Sequence, residues 1–471
     1  MKRIRRVYKK TVSIVRETPI EMYENMVGGR KGFLLESYDK NYDTFTIFGA
    51  DPEEIITSRD NALVITRADG SVEIREGNPH ERLKEYYDEF EIRQDNHELS
   101  FTGGLVGNLG YDYIRYTEVL PDENPDDIGI ETIQMMLMTR FIVVDHLSET
   151  MTAVVLEEDS GAGRERALAE AARMLDAART DVPENHRNGA FIRDGKIIHK
   201  TDTLEEYGEK VERIRHYIRE GHIFQTVLSQ RWTIETGQDG FTLYKHLREI
   251  NPSPYLYYYN YGDFEVIGSS PEMIVKQQGD RVFTCPIAGS RPRGKSKEED
   301  LALTEELLAD EKELAEHVML VDLARNDMGR ISEFGTVKLM EFMKVQYYSH
   351  VMHIVSLVEG RKKGVYHPLD LVASFLPAGT LSGAPKIRAM EIIDELETTR
   401  RGLYGGATGY VDFSGDMDFC ITIRTMIKQG NKVYLQAGAG IVADSVPEKE
   451  YQECCNKVMA LAKTLVTEEN L

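Results

Sequence analysis

The stretch DEKELAEHVMLVDLARND, residues 310–327, has the pattern of a helix that carries two acids on one face. Neither glycine nor proline interrupts it, and apolar residues recur at three- and four-residue spacing at Leu303, Leu307, Leu314, Val318 and Val321. Glu313 and Glu316 lie one turn apart between apolar neighbours. Carboxylates in such surroundings need a partner, and Mg²⁺, which prefers oxygen ligands, is one candidate. The alternative is a solvated acidic face that pairs with Lys312 and its neighbours.

A second predicted helix near the C-terminus repeats this arrangement. Residues 447–466, PEKEYQECCNKVMALAKTLV, begin with a proline, which suits a first helical position. Glu450, Glu453 and Lys457 share one face of this helix, and apolar residues cover another. Two such acid pairs suggest four carboxylates that converge on a metal ion, with a lysine for an anionic ligand.

Composition and charge limit the classes of function. The chain has 471 residues and is 41% hydrophobic, which is enough for a sizeable core in one large domain or in two or three ordinary ones. Its net charge of −22 and pI near 5.1 argue against non-specific binding to nucleic acid or to an anionic membrane surface. No apolar run has the length of a signal peptide core or a membrane span, so we expect a cytoplasmic protein. The four cysteines form no Cys-x-x-Cys pair, which favours reduced bystanders over disulfides or zinc ligands.

Strand and helix signals alternate along the chain, and the first half is rich in strands. The segment DVPENHRNGAF, residues 181–191, has the composition of a linker. We therefore predict a domain boundary near residue 185, between regions 1–185 and 186–471, and expect the two regions to exchange strands.

Several polar residues in apolar or glycine-rich surroundings are candidates for binding an anion. The loops AGTLSGAPK and AGSRPRGK do not match a phosphate-binding loop, yet Thr380 and Gly440 offer a hydroxyl and a bare peptide N–H. The alternative is that the glycines serve tight turns. Arg424 is flanked by apolar residues and needs a carboxylate, either from a ligand or from the protein. His353 alternates with apolar residues and could point at a site or into the core, although a lone histidine is more often structural. No sequence signature supports covalent acyl chemistry.

Seven motifs, taken together and in this order, resemble the chorismate-utilising enzymes. The motifs are GHIFQTVLSQR, NPSPYLYYYN, IGSSPEMIVK, CPIAGSRPRG, DEKELAEHVMLVDLARND, FLPAGTLSGAPK and GAGIVADSVPEKEYQECCNK. The resemblance covers nearly the whole chain and implies an α+β fold in which large antiparallel sheets form a sandwich flanked by helices.

The resemblance also implies a set of site residues. It implies that Glu316 and Glu453 hold Mg²⁺ directly and that Glu313 and Glu450 hold it through water. Tyr404, Arg424, Lys457 and the backbone around Gly438 and Gly440 would bind the two carboxylates of chorismate. Gln225 would also be a substrate-binding residue. Glu272 matches the general acid that protonates the departing C4 hydroxyl. His353 and Thr380 match positions near the pyruvyl and leaving-group side, where His353 would assist the loss of pyruvate.

Two positions distinguish between branches of this family. Relatives that add water carry a lysine as base where this chain has Gln225, and a glutamine cannot take a proton from water. Relatives that make 4-amino products carry a nucleophilic lysine where this chain has Ala288. We therefore expect ammonia to attack C2 directly, with pyruvate elimination then giving anthranilate for tryptophan biosynthesis. The alternatives are an aminodeoxychorismate, isochorismate or salicylate synthase of the same fold, or a tryptophan-sensing subunit without catalysis.

The resemblance extends to regulation and partners. Two segments resemble the tryptophan feedback pocket of the family, with the candidate residues Leu35, Glu36, Ser37, Asn251, Pro252, Ser253, Pro254 and Tyr255. The alternative for the first segment is an ordinary strand end. No glutaminase segment is recognised, so we expect a separate glutamine amidotransferase subunit to supply the ammonia.

Overall fold

The computed structural model describes residues 2–14, 18–37, 44–95, 99–180, 191–348 and 351–467. The predicted domain boundary near residue 185 lies outside these residues, so the division into two regions stays a prediction.

Ten α-helices occur in the described residues: α1 Pro19–Met26, α2 Pro79–Tyr87, α3 Gly161–Arg179, α4 Leu204–Arg219, α5 Gly240–Ile250, α6 Lys297–Ala309, α7 Glu311–Ile331, α8 Pro368–Phe375, α9 Lys386–Leu396 and α10 Pro447–Ala462.

The strands of the described residues follow the chain in this order: β1 Arg3–Ser13, β2 Gly32–Ser37, β3 Phe45–Ala50, β4 Glu54–Arg59, β5 Ala62–Arg67, β6 Val72–Glu76, β7 Phe90–Arg93, β8 Gly104–Leu109, β9 Ile133–Met138, β10 Arg140–Asp145, β11 Thr150–Glu157, β12 Lys196–Lys200, β13 Gln225–Glu235, β14 Tyr255–Asn260, β15 Glu265–Ser270, β16 Met273–Gln278, β17 Arg281–Thr284, β18 Ile287–Pro292, β19 Lys338–Tyr347, β20 Val351–Arg361, β21 Gly383–Ala384, β22 Ala407–Asp412, β23 Met417–Ile421, β24 Thr425–Gln429 and β25 Lys432–Ile441.

These strands form two large sheets. The first has the order β12-β13-β25-β24-β15-β14-β2-β3-β10-β11-β1-β7, with β21 on β13, and the second has the order β18-β20-β17-β16-β23-β22-β8-β9-β4-β5-β6, with β19 on β20. Among the described strands, only β1 and β7 pair in parallel. Both sheets combine strands from before and after residue 185, for example β2 with β14 and β8 with β22.

The two sheets pack face to face, and helices cover their outer faces. Phe33 and Ile47 of the first sheet share a buried cluster with Val106 and Met136 of the second. Helices α1, α3, α5 and α10 contribute to a core on the outer face of the first sheet, and α2, α7 and α8 contribute to one on the second. The predicted α+β sandwich of antiparallel sheets with flanking helices is therefore confirmed. No helix in the described part of the chain combines the length and the apolar character that crossing a bilayer requires.

The predicted helix at residues 310–327 is present as α7, but its apolar stripe is not continuous with the preceding residues. The prediction of one stripe from Leu303 to Val321 is wrong, because the chain leaves the helical conformation at Asp310 and α6 ends there. The Asp310 carboxylate accepts hydrogen bonds from the backbone N–H groups of Lys312 and Glu313 and so caps α7, an interaction that contributes about 1 kcal/mol. The residues on the two sides of Asp310 therefore do not share one helical stripe: Leu307 of α6 is buried, whereas Val318 of α7 is 41% exposed.

Candidate active site

Two segments cross from one sheet to the other at the centre of the candidate site. Glu272 lies where β15 of the first sheet continues into β16 of the second, and Arg424 lies where β23 continues into β24. The two crossings are joined by hydrogen bonds from Ile421 N to the Glu272 carbonyl at 2.9 Å and from Ser269 N to the Arg424 carbonyl at 3.2 Å. Arg424 has a φ of +52°, a left-handed conformation that costs a non-glycine residue about 1 to 3 kcal/mol. Such strain is typical of residues that the fold holds in place for function.

The acids of α7 and α10 lie within electrostatic range of one another. Burial raises the pKa values of Glu313, Glu316 and Glu450, since it disfavours their charged forms. Neighbouring acids raise these values further, because Glu313 and Glu453 both act on Glu316 and Glu453 also acts on Glu450. The structure thus brings together the two acid pairs that the sequence placed on separate helices.

This donor set fits a hard divalent cation. All four side chains offer carboxylate oxygens, and the nearby ammonium groups of Lys312 and Lys457 lower the pKa values of Glu316 and Glu450 only in part. Among the described residues, no three of these four carboxylates place oxygen atoms within 4.8 Å of one another. A cation of charge +2 at this place would offset the repulsion among the four carboxylates.

A tighter group of potential ligands, which the sequence did not indicate, lies elsewhere in the described residues. His80, Glu81 and Asp370 place ligand atoms within 4.8 Å of one another. The Lys84 ammonium lies 2.9 Å from Asp370 and 3.2 Å from Glu81, so it takes the position that a metal ion would need. His80 also shares a hydrogen bond of 2.8 Å with the hydroxyl of Tyr113. We interpret this group as a structural link between α2 and α8.

Two glycines on β25 make room for polar side chains. A Cβ atom on Gly440 would lie 2.5 Å from Nε2 of Gln225, and one on Gly438 would lie 3.2 Å from the Tyr404 hydroxyl. A side chain at either position would push Gln225 or Tyr404 away from the strand, so the two glycines allow the close approach seen here. The Lys457 ammonium donates to the Gly438 carbonyl at 2.9 Å and to Glu453 at 2.7 Å, which connects β25 to the acids of α10.

Glu272 has the properties of a carboxylic acid that keeps its proton at neutral pH. Its residue is only 8% exposed, and burial raises the pKa of its carboxyl to about 8. The Thr380 hydroxyl, which donates to Oε1 at 3.0 Å, and the positive charge of Arg424 both lower this pKa, but they do not outweigh burial. Thr380 and Glu272, which the sequence analysis assigned to the site, are therefore joined by a hydrogen bond, although they lie far apart in the chain.

The Arg424 side chain is half-buried and lies close to groups that the sequence assigned to the site. Burial lowers its pKa, whereas Tyr404, Glu272 and Glu453 raise it, so these four groups lie near one another. None of the acids in the described ranges forms an ion pair with Arg424. A half-buried guanidinium in this situation is suited to an anionic ligand.

His353 on β20 is neutral and has a defined tautomer. Burial lowers its pKa, and Arg424 lowers it further. Its Nδ1 lies 2.9 Å from the carbonyl of Gly289, which can only accept, so Nδ1 carries the hydrogen and Nε2 carries the lone pair. Gly289 has a φ of +67°, and a Cβ atom there would lie 3.2 Å from Glu313. His353 is thereby placed on the same side of the site as the acids of α7.

The residues predicted for a tryptophan pocket divide into two groups. Leu35, Glu36, Ser37 and Tyr255 line one cavity between the sheets, in which Tyr257, Thr408, Tyr410 and Cys420 also take part. Residues 251–254 form the turn between α5 and β14 and are not among the lining residues. The Glu36 carboxylate accepts hydrogen bonds from Tyr244 at 2.5 Å and Arg248 at 2.7 Å.

Comparisons with known proteins agree on one family. A family model described as chorismate binding enzyme matches residues 33–463. The chain is 46% identical over 459 residues to anthranilate synthase component 1 of Acetivibrio thermocellus, a match that covers 95% of this chain and 93% of that protein. It is 44% identical over 470 residues to anthranilate synthase component 1 of Thermus thermophilus, covering 99% and 98%. The crystal structure of anthranilate synthase component I from Streptococcus pneumoniae has a TM-score of 0.78 and 37% identity, covering 96% of this chain and 94% of that one.

Proposed function

Because this chain belongs to the chorismate-binding enzyme family, we propose that it converts chorismate and ammonia into anthranilate, pyruvate and water. This reaction is the first step of tryptophan biosynthesis, and we place it in the cytoplasm. The observation that carries the proposal is the proximity of Glu272, Tyr404, Glu453 and a half-buried Arg424 without an acidic ion-pair partner among the described residues. This arrangement suits a small dianion. The names of the relatives support the identity of the product.

In the proposed reaction, Arg424, Tyr404 and Lys457 bind the two carboxylates of chorismate. Glu316 and Glu453 would hold Mg²⁺ directly, with Glu313 and Glu450 acting through water, and the ion would neutralise charge on a substrate carboxylate. The amide of Gln225 lies beside Gly440, where it positions the substrate and cannot act as a base.

The first chemical step is a substitution. The nitrogen of ammonia bonds to C2, the ring double bonds shift, and the C4–O bond breaks. Glu272 gives its proton to the departing hydroxyl, which leaves as water. The new ammonium group loses one proton, so the numbers of protons taken up and released in this step are equal. The second step removes the C2 proton and breaks the C3–O bond, which releases pyruvate in its enol form and makes the ring aromatic.

We predict that His353→Ala accumulates the aminated intermediate that still carries the pyruvyl group. The lone pair on Nε2 of His353 can assist removal of the C2 proton, so its loss should slow elimination by about 10² or more and leave amination intact. Mass spectrometry of quenched reactions would detect the intermediate. The control is His80→Ala, at a buried histidine outside the candidate site, which should lose stability without accumulating the intermediate. Normal anthranilate output by His353→Ala would refute this role.

Product identification tests the proposed function directly. Purified protein with chorismate, an ammonium salt and Mg²⁺ should give the fluorescence of anthranilate. A hydroxylated or 4-amino product would instead support the alternative synthases, against which Gln225 and Ala288 argue. We also propose that a separate glutamine amidotransferase supplies ammonia, since the relatives are named as component 1.

We further propose that L-tryptophan inhibits the enzyme from the cavity between the sheets. Its lining from β2 and β14 includes Leu35, Tyr255 and Tyr257, which suit contact with an indole ring, and because the cavity volume is only about 30 Å³ the walls must move apart to admit one. Ser37→Phe should fill this cavity and raise the inhibition constant for tryptophan at least about tenfold. The uninhibited kcat serves as the control and should stay unchanged. Unaltered inhibition in a folded variant would place tryptophan elsewhere.

A further inference from the structure

Arg401 and Glu397 form a buried ion pair at the end of α9. Arg401 is 2% exposed and Glu397 is 7% exposed. The guanidinium donates two hydrogen bonds to the carboxylate, from Nε at 2.8 Å and from Nη2 at 2.6 Å. Glu397 also accepts from the backbone N–H of Ser229 at 2.9 Å and from its hydroxyl at 2.8 Å. The pair is thereby anchored to β13, and neither residue was singled out by any sequence motif.

The remaining donors of Arg401 hold two backbone segments of the candidate site. Nη1 donates to the Leu381 carbonyl at 2.6 Å, and Leu381 directly follows Thr380. Nη2 donates to the Val227 carbonyl at 2.8 Å, and Val227 is the register partner of Gly440. One planar group therefore sets the distance between the turn that carries Thr380 and the strand beside Gly440.

The same guanidinium contacts the ring of a substrate-binding candidate. The Arg401 guanidinium carbon lies 5.7 Å from the centroid of the Tyr404 ring and 4.6 Å from that of Tyr111. Tyr404 N also donates to the Arg401 carbonyl at 3.2 Å. The position of the Tyr404 ring thus depends on Arg401 through both its side chain and its backbone.

Stability alone does not account for a charged pair at this place. A buried ion pair adds little net stability compared with well-packed apolar residues, because both charges lose their hydration. What the pair provides is orientation, since the N–H donors of a planar guanidinium point in fixed directions and hold several acceptors in place at once. Here the acceptors belong to the turn of Thr380 and to β13.

We propose that Arg401, held by Glu397, is a positioning residue that aligns Thr380 and Tyr404 for the reaction of chorismate. The proposal rests on the proposed function. Arg401 acts on Glu272 only through Thr380, whose hydroxyl donates to that acid. A lysine at position 401 keeps the charge but cannot align Glu397, Leu381 and Val227 in one plane.

The test compares Arg401→Lys with a matched variant, Arg231→Lys. Arg231 is also buried, at 3% exposure, but it donates to the Arg400 carbonyl at 3.1 Å and to Thr399 at 3.0 Å, not to the turn or to Tyr404. We expect Arg401→Lys to lower kcat by about 10² and to raise KM for chorismate several-fold, as a misplacement of about 1 Å would do. Arg231→Lys should change kcat and KM by less than about threefold, even if it lowers the melting temperature as much as Arg401→Lys does.

A double-mutant cycle with Thr380→Val separates positioning from general destabilisation. If Arg401 acts on kcat through Thr380, the double variant should have nearly the kcat of the slower single variant. Wild-type kinetics in Arg401→Lys, or losses in kcat that multiply, would overturn the proposal. Should Arg401→Lys fail to fold, Glu397→Gln provides the same comparison. Absence of anthranilate from the wild-type protein would instead refute the proposed function.

Discussion

Replacing Glu316 by glutamine is expected to abolish anthranilate formation, with a loss of at least about 10³-fold in kcat. The glutamine keeps the shape of the side chain but removes one of the four charges that we assign to Mg²⁺. The measurement is anthranilate fluorescence across a titration of Mg²⁺. Glu311→Gln provides the matched control, because Glu311 lies on the same helix and is exposed, and it should keep full activity.

A second readout of Glu316→Gln does not depend on activity. Burial raises the pKa of Glu316, and so do the charges of Glu313 and Glu453, which means that the ionised side chain destabilises the metal-free protein at neutral pH. The glutamine variant should therefore melt no lower than the wild type in the presence of EDTA. Added Mg²⁺ should raise the melting temperature of the wild type much more than that of the variant. Turnover and Mg²⁺-dependent stabilisation that both survive in the variant would remove the metal assignment.

The sequence predicts that two of the acids lie close together when both belong to the same helix. Glu313 and Glu316 lie one helical turn apart, so the helical period alone places them on one face, and the same holds for Glu450 and Glu453. The distance between α7 and α10 is not contained in either pattern, because it depends on how both helices pack against the sheets. Only the resemblance of the ordered motifs to a known family supplied that information.

Other features of the site depend on interactions that local patterns do not specify. An aspartate such as Asp310 is tolerated inside a helix and favoured at a cap, so the sequence did not indicate that α6 would end there. Strand periodicity shows which residues alternate but not where a chain crosses between sheets, which is what places Glu272 beside Arg424. Arg401 lies in a segment without strong periodicity, and its role depends on contacts with residues distant in sequence.

Replacing Glu272 by glutamine is expected to lower the rate of amination by about 10² to 10⁴, since an amide cannot protonate the leaving hydroxyl. The measurement is single-turnover formation of the aminated intermediate and of anthranilate. Both should slow together, because the acid acts in the first step. The folded state of the variant should be preserved, as glutamine has the shape of glutamic acid and suits its buried site. A variant that aminates chorismate at the wild-type rate would show that another group protonates the hydroxyl.

The pH dependence of the wild-type enzyme gives an independent test of the same acid. Burial raises the pKa of Glu272 to about 8, and a general acid works only while it is protonated, so kcat/KM for chorismate, which reports the groups of the free enzyme, should fall as pH rises through about 8. Free ammonia must be held constant across the series, because its concentration also varies with pH. In Thr380→Val the carboxylate loses a hydrogen bond that stabilises its charged form, so the falling limb should move to higher pH. If the falling limb stays in place or moves to lower pH, the hydrogen bond from Thr380 does not lower the pKa of Glu272.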